Sequence, residues 1–221
     1  QLWFHVDGAI GALLALAPAH RHMVHGMERA DSVTLDLHKW LHIPFEAACV
    51  VVRDRRAHRE AFALTPEYLE KTERGLASGA LWFSEYGLQL SRGFRALKVW
   101  LSIKEHGLDR FGRLIDRNIA QAHELAALVQ AEPDLELLAP VATNIVCFRY
   151  NPGGLSDEQL NALNEELLIR LHESGIAAPS YTTLDGRYCL RAAIVNYRTT
   201  SADLPVLVRA VREIGASLPR P

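Results

Sequence analysis

The sequence predicts an α/β protein in which a strand-edge site is followed by a smaller α/β layer. Three observations carry that reading. Short apolar runs recur in the first fifty-odd residues, over 2–6, 32–37 and 48–53, and the first two end next to polar groups. Helical spacing then takes over: Leu90, Phe94, Leu97 and Leu101 recur at four, three and four, and Leu108, Phe111, Ile115, Ile119, Ala122 and Leu125 form a second stripe. Beyond Pro133, strand-like and helix-like segments alternate, as a small second domain would.

Taken in order, residues 2–6 read as a buried strand ending at the Asp7 carboxylate and the small residues Gly8 and Ala9. Residues 8–11 predict a tight turn, and 12–17 a short helix stopped by Pro18. His20, His22 and His25, with Met23, follow in a polar stretch. Their spacing is compatible with metal ligation, but no acidic or cysteine partner is nearby, so an exposed loop is expected. Residues 32–37 and 48–53 predict strands, paired as a hairpin across the segment between them. Asp54-Arg55-Arg56 predicts a polar turn, and 69–80, with Gly75, Ser78 and Gly79, a mobile loop. The stripe over 90–101 predicts a helix closed near Gly107, with Trp100 expected in the core rather than in a pocket. The second stripe predicts a helix ending before Pro133, and 135–138 and 144–150 predict strands. Ser156-Asp157-Glu158-Gln159 is a capping box for a helix ending near Gly175. Residues 188–196 alternate as a strand does. Thr200-Ser201-Ala202-Asp203 caps a last helix with Leu204, Leu207, Val208, Val211 and Ile214 inward, and the 219–221 tail is expected to fray.

The chemistry concentrates in Asp36-Leu37-His38-Lys39-Trp40. Lys39 is one of only four lysines, with Lys71, Lys98 and Lys104, against twenty arginines. A lysine between two strands is out of place on a generic solvated coat. Where its ammonium is desolvated, such a lysine can form a Schiff base with a carbonyl. Asp7 lies 32 positions earlier, room for one strand–helix–strand unit. In open α/β sheets, ligands bind beyond the carboxyl ends of the strands. A carboxylate for a pyridinium nitrogen and a lysine for an aldehyde are the two groups that pyridoxal 5′-phosphate (PLP) asks of a protein. The alternatives are a surface lysine at a strand end, and an aspartate that caps the turn after its strand.

Four stretches in order then resemble the group II PLP-dependent amino-acid decarboxylases, whose members include aromatic-L-amino-acid, tyrosine and histidine decarboxylases. They are Phe4-His5-Val6-Asp7-Gly8-Ala9 with Ala30-Asp31-Ser32, His38-Lys39-Trp40-Leu41, Leu90-Ser91-Arg92-Gly93-Phe94-Arg95-Ala96-Leu97-Lys98-Val99-Trp100, and Leu190-Arg191-Ala192-Ala193-Ile194 with Arg198-Thr199. The resemblance implies a fold of the aspartate-aminotransferase type (fold type I). Residues 1–103 would be the C-terminal part of the PLP-binding large domain, and 104–221 a small C-terminal α/β domain. It also implies that the chain corresponds to the C-terminal half of a longer enzyme, a homodimer, with the phosphate loop and ring-stacking residue in the other half.

The resemblance implies roles residue by residue. Lys39 would hold the cofactor as a Schiff base, and Asp7 would pair with its pyridine nitrogen. His38 and Asp36 would lie near the phosphate or ring, Ala9 against the ring, and His5 behind Asp7. Leu37 stands where the family has proline. Arg191 would bind a carboxylate or form a structural ion pair. The family's catalytic loop carries a tyrosine that protonates the substrate carbon; here the matching position is Phe83, beside Trp82, with Tyr86 and Tyr68 the nearest tyrosines. Phenylalanine at that position accompanies a change from decarboxylation to aldehyde-forming oxidative deamination in plant and insect members. The implied activity is that of a lyase of carboxylic acid metabolism: decarboxylation of an L-amino acid, an aromatic one by overall similarity. The alternatives are the aldehyde-forming or an aminotransferase-like reaction, or an inactive dimer partner or fragment.

Composition narrows the partners. A net charge of −2 without a long basic run argues against nucleic acid. Cys49, Cys147 and Cys189 sit in apolar contexts without C-x-x-C spacing, which fits free thiols in a reducing, cytoplasmic compartment. The longest apolar stretch, 9–19, is broken by Gly11 and Pro18 and is too short to span a bilayer, and no signal-peptide pattern is seen. A small amino acid is thus the expected partner, with no membrane.

Overall fold

A computed structural model describes residues 2–63, 73–75, 78–79 and 82–219. The loop expected over 69–80 lies mostly outside these residues. The chain forms two compact units, one of Gln1–Leu16 with His20–Phe111, the other of Ala17–Ala19 with Gly112–Pro221.

The first unit is built on a three-stranded sheet of β1 (His5–Asp7), β2 (Ser32–Asp36) and β3 (Ala48–Val52), in that spatial order. β1 runs parallel to β2, with Asp7 opposite Thr34. β3 is antiparallel to β2, from Ser32 opposite Val52 to Asp36 opposite Ala48, the expected hairpin. Between β1 and β2 the chain passes through 3-10 turns at Gly11–Leu16, Arg21–Val24 and Met27–Arg29. Ala12, Leu13 and Leu14 of the first are buried, which fixes the crossover. A four-residue helix, α1 (Leu37–Trp40), leaves β2, and Trp40, Leu41 and Ile43 bury behind it.

Two expectations need correction in this unit. The polar turn at Asp54 is the start of a helix, α2 (Arg55–Phe62). Asp54 caps it, its Oδ1 accepting from the N–H groups of Arg56 (2.8 Å) and Ala57 (3.1 Å). Arg56 and Glu60 pair one turn apart at 2.7 Å. The helix after Gly93 begins later than its stripe implies: α3 spans Arg95–His106 and closes at Gly107. Its stripe faces outward. Phe94 is 75% exposed and Trp100 57%, so Trp100 is not a core residue.

The second unit stacks three helices against one face of a sheet. The helices are α4 (Leu108–Ala131), which starts in the first unit, α5 (Asp157–Glu173) and α6 (Asp203–Ser217). The sheet is antiparallel, with β4 (Leu135–Leu137), β5 (Ile145–Tyr150), β7 (Arg187–Ala193) and β6 (Ser180–Leu184) in that order. Leu125, Phe148, Leu167, Leu171, Leu190 and Val211 centre the core. The capping box is present: Ser156 Oγ accepts from Gln159 N–H at 3.3 Å, and Gln159 Oε1 from Ser156 N–H at 3.0 Å. β6 is an additional strand that the sequence pattern does not predict. Its hairpin with β7 turns at Asp185 and Gly186, both at positive φ (49° and 77°), the backbone that an Asp-Gly pair favours.

β5 is buried on both faces. Its Arg149 is ion-paired to Glu136 (2.8 Å) and Asp157 (2.9 Å). Burial opposes charge on Glu136, but hydrogen bonds from Arg149 and Asn151 prevail and hold its carboxyl below the usual range. Cys49, Cys147 and Cys189 are free. Burial, with Cys147 beside it, pushes the Cys189 thiol up to about 11.

Asn164, fully buried on α5, closes the end of β5. Its Oδ1 accepts from Tyr150 N–H, and its Nδ2 donates to Tyr150 C=O and Leu160 C=O, each at 2.8 Å. Replacing Asn164 with alanine strands these buried groups. The expected loss is about 2–3 kcal/mol in chemical denaturation; an unchanged midpoint would show that water or relaxation satisfies them.

Candidate active site

Because β1 and β2 are parallel, their carboxyl ends share one edge of the sheet. Asp7 is the last residue of β1, Asp36 the last of β2, and Lys39 stands three residues beyond Asp36 in α1. This edge is where α/β sheets bind ligands.

Backbone bonds tie the two strand ends together. Ala9 N–H donates to Asp7 Oδ1 at 3.2 Å, and Ala9 C=O accepts from Asp36 N–H at 3.1 Å. The Thr34 hydroxyl donates to the same Asp7 oxygen at 3.4 Å. Asp7 therefore caps its turn and still presents an exposed carboxylate. Gly8 makes the approach possible. A Cβ there would lie 2.4 Å from Ala12 Cβ and 2.7 Å from the Thr34 carbonyl oxygen.

His5 shares the Asp7 face of β1. Its Nδ1 lies 2.7 Å from Ser32 Oγ, which also accepts from Trp3 Nε1 at 2.8 Å. Asp31 Oδ2 accepts from Phe4 N–H at 2.8 Å. The Ala30-Asp31-Ser32 motif thus fastens the start of β1 to β2, a structural duty its sequence did not reveal.

Lys39 Nζ is 2.7 Å from Asp36 Oδ2, with the lysine side chain 38% exposed. It is held by a carboxylate yet reachable by a small molecule. His38 is oriented by the returning loop: its N–H donates to Ala47 C=O at 3.1 Å, and its ring Nδ1 lies 2.9 Å from the same oxygen. Phe45 meets the His38 ring edge-on, centroids 5.0 Å apart.

Phe83 begins the 3-10 turn Phe83–Tyr86 and is 71% exposed. Sequence reasoning missed what anchors this turn. Arg59 of α2 donates through Nε and Nη2 to the two oxygens of buried Glu85, at 2.8 and 3.0 Å. The hydrogen bond and charge of Glu85 push the Arg59 guanidinium further up. Arg55 Nε donates to the Tyr86 hydroxyl at 3.0 Å, so Tyr86 is tied to α2. Tyr68 lies outside the described residues. A helix-capping Asp54 was the one signal in the sequence that could have exposed this anchor.

A hollow of about 680 Å³ is lined by Val24, Val33, Leu35 and Val51, among others, and includes neither Asp7 nor Lys39. Val33 and Leu35 alternate with Thr34, so the hollow is the open back of the sheet. Arg191, the other candidate anion ligand, places Nη1 3.5 Å from Ser180 Oγ. Among the described residues no group of three His, Cys, Asp or Glu side chains is arranged to hold a metal.

A lysine amine and a carboxylate near the carboxyl edge of parallel strands are the two kinds of group that a PLP site uses. The model of the pyridoxal-dependent decarboxylase conserved domain matches residues 1–151, and the chain belongs to that family. It is 36% identical over 215 residues to an aromatic-L-amino-acid decarboxylase of Bacillus atrophaeus, covering 97% of this chain and 45% of that protein. It is 32% identical over 193 residues to a phenylacetaldehyde synthase of Arabidopsis thaliana, covering 87% and 39%. Among solved structures, the Oryza sativa TDC with PLP and tryptamine superposes with a TM-score of 0.87 at 26% identity, covering 97% of this chain and 44% of that one. The chain thus spans less than half the length of the relatives it matches.

Alanine at Gly8 would force Ala12 and the Thr34 carbonyl apart. The expected cost is about 1–3 kcal/mol in denaturation, and a Gly8→Ala chain as stable as the wild type would contradict the close approach of β1 to β2.

Proposed function

We propose that this chain supplies the lysine and the aspartate of a PLP site in an enzyme that decarboxylates an L-amino acid, an aromatic one foremost, to the amine and CO2. The observation that supports the reading is that Asp7 and Asp36 end two parallel neighbouring strands on one sheet edge, joined through Ala9, with Lys39 three residues beyond Asp36 and ion-paired to it. The donor set fits PLP. Lys39 offers a half-exposed amine, Asp7 an exposed carboxylate, and Gly8 and Ala9 leave room between them.

Bound PLP supplies a protonated ring that accepts the electron pair left on Cα when the carboxylate departs as CO2. The residues of this chain do the rest. Asp7, with one oxygen held by Ala9 and Thr34, keeps negative charge beside the ring nitrogen and its proton. Lys39 provides the amine that holds the aldehyde, and Asp36 takes its ammonium when that amine is released. His38 and Asp36 would hold the phosphate end and Ala9 would lie against the ring, while His5 supports the Asp7 face through Ser32. Arg191 is a second candidate for anion binding. The first unit belongs to the large domain of a type I fold, the second to its small domain, and the working enzyme is a homodimer. Three free thiols support a reducing, cytoplasmic setting. No helix among the described residues is long and apolar enough to cross a membrane.

A second reading is favoured by Phe83. Its exposed ring has no hydroxyl to return a proton to Cα, and one relative is named a phenylacetaldehyde synthase. In that reading the carboxylate leaves as CO2, O2 is reduced to hydrogen peroxide, and water supplies the aldehyde oxygen as the nitrogen leaves as ammonia.

The test adds PLP to the purified chain and follows the imine absorption band. Wild type should develop the band and Lys39→Ala should not; a full band in that variant removes Lys39 from the site. Asp7→Ala should hold PLP more weakly, by about tenfold or more, and unchanged affinity removes Asp7. Should activity be found, amine with CO2 and no peroxide selects decarboxylation. Peroxide in equal amount with aldehyde selects the second reading, and Phe83→Tyr should then shift product towards amine.

A further inference from the structure

The helix motif Arg92-Gly93-Phe94-Arg95-Ala96-Leu97-Lys98 stands out in the sequence, yet no step proposed above uses it. Its apolar residues face outward. Two of its three cations, Arg95 and Lys98, are half-buried against a neighbouring loop. Arg95 Nε donates to Glu46 Oε1 at 2.9 Å, and its Nη2 donates to the same oxygen. Lys98 Nζ donates to the Pro44 carbonyl at 2.8 Å. Both reach the loop that returns from Lys39 to β3. The hydrogen bond and charge of Arg95 hold the Glu46 carboxyl below its usual range.

That loop is what orients the lysine segment. Ala47, next to Glu46, accepts the His38 N–H, and its carbonyl lies against His38 Nδ1. Phe45, between Pro44 and Glu46, packs edge-on against the His38 ring. Ile43 N–H donates to Leu37 C=O at 3.2 Å, and His42 N–H to Lys39 C=O at 3.3 Å. These bonds of the Lys39 turn run into a loop whose outer side is gripped by the first turn of α3. Arg95 Nη1 also reaches Gln89 Oε1 at 3.4 Å, and Arg92 donates to the Phe83 carbonyl. The same short stretch therefore touches both the lysine loop and the Phe83 turn.

We propose that Arg95 and Lys98 are positioning residues: they clamp loop 44–46 and, through it, set the orientation of His38 and Lys39. The proposal rests on the PLP reading only where it concerns Lys39; the clamp itself does not need the cofactor. The contacts are partly exposed, Arg95 37% and Glu46 57%, so the effect is moderate and weakens with salt.

The test is amide hydrogen exchange on the full chain without cofactor, read at His38, His42 and Ile43, with Val146 and Phe148 of β5 as internal reference. Arg95→Met should speed exchange at the three amides by about threefold to fivefold, leaving the reference unchanged. Lys98→Met should act in the same direction. Exchanging the charges, Arg95→Glu with Glu46→Arg, should restore protection, which a purely structural loss would not do. The rate at which PLP forms the imine band should fall in Arg95→Met and recover in the exchanged pair. Unchanged exchange at the three amides would overturn the clamp. Faster exchange with an unchanged rate of PLP capture would overturn its role in placing Lys39. Should wild type capture no PLP, the cofactor reading fails, and exchange with its recovery alone decides the clamp. If Arg95→Met does not fold, Lys98→Met and the exchanged pair decide the same question.

Discussion

Parallel pairing of two short strands, β1 and β2, is the constraint on which the site depends. It sends both carboxyl ends to one edge, so Asp7 and Asp36, 29 positions apart in the chain, end neighbouring strands. The pairing is tight because Gly8 has no side chain to hold the strands apart, and because Ala9 bonds to both ends. Asp31 and Ser32 lock the other end of β1 through Phe4, Trp3 and His5. A strand of three residues is weak alone. Here side-chain hydrogen bonds at both ends replace the length it lacks.

From that edge the chain continues into a second layer of support. α1 buries Trp40, while Lys39 beside it and Asp36 before it keep side chains that are 38% and 24% exposed. The loop after it turns back on His38 and is gripped from outside by α3. α2 performs a parallel service for the Phe83 turn through Arg59 and Glu85. Cationic side chains from both helices thus reach the site segments, with the His58 ring against Tyr86 beside them. Such contacts leave these segments near solvent, where an apolar seam would bury their polar groups.

Much of this was legible in the sequence. The β2–β3 hairpin, the capping box at Ser156, α4 and the inward face of α6 follow from local signals: strand runs bounded by polar residues, a cap with its partner three residues on, and apolar spacing near 3.6. α2 was hidden because Arg55-Arg56-Ala57-His58-Arg59-Glu60 has no apolar stripe; only the Asp54 cap marks it. β6 was hidden because Tyr181, Thr182 and Thr183 read as polar, although Asp185-Gly186 announced its turn. The α3 stripe shows that periodicity reveals a face and not what covers it. The clamp joins residues 49 apart, and no local pattern records such a pair. Lys39 and Asp7 could be singled out because a rare lysine and a strand-end carboxylate are chemical oddities. The contacts of His5, Asp36 and His38 needed coordinates, since their partners, Ser32, Lys39 and Ala47, are matters of register and turn geometry.

The most direct test of the central claim is chemical mapping. The chain is incubated with PLP, reduced with borohydride, digested, and each modified lysine quantified by mass spectrometry. The chain offers four lysines, Lys39, Lys71, Lys98 and Lys104. At low PLP the adduct is expected on Lys39 alone. Adduct spread evenly over the other three, or confined to one of them, would contradict the assignment of this sheet edge as the cofactor site.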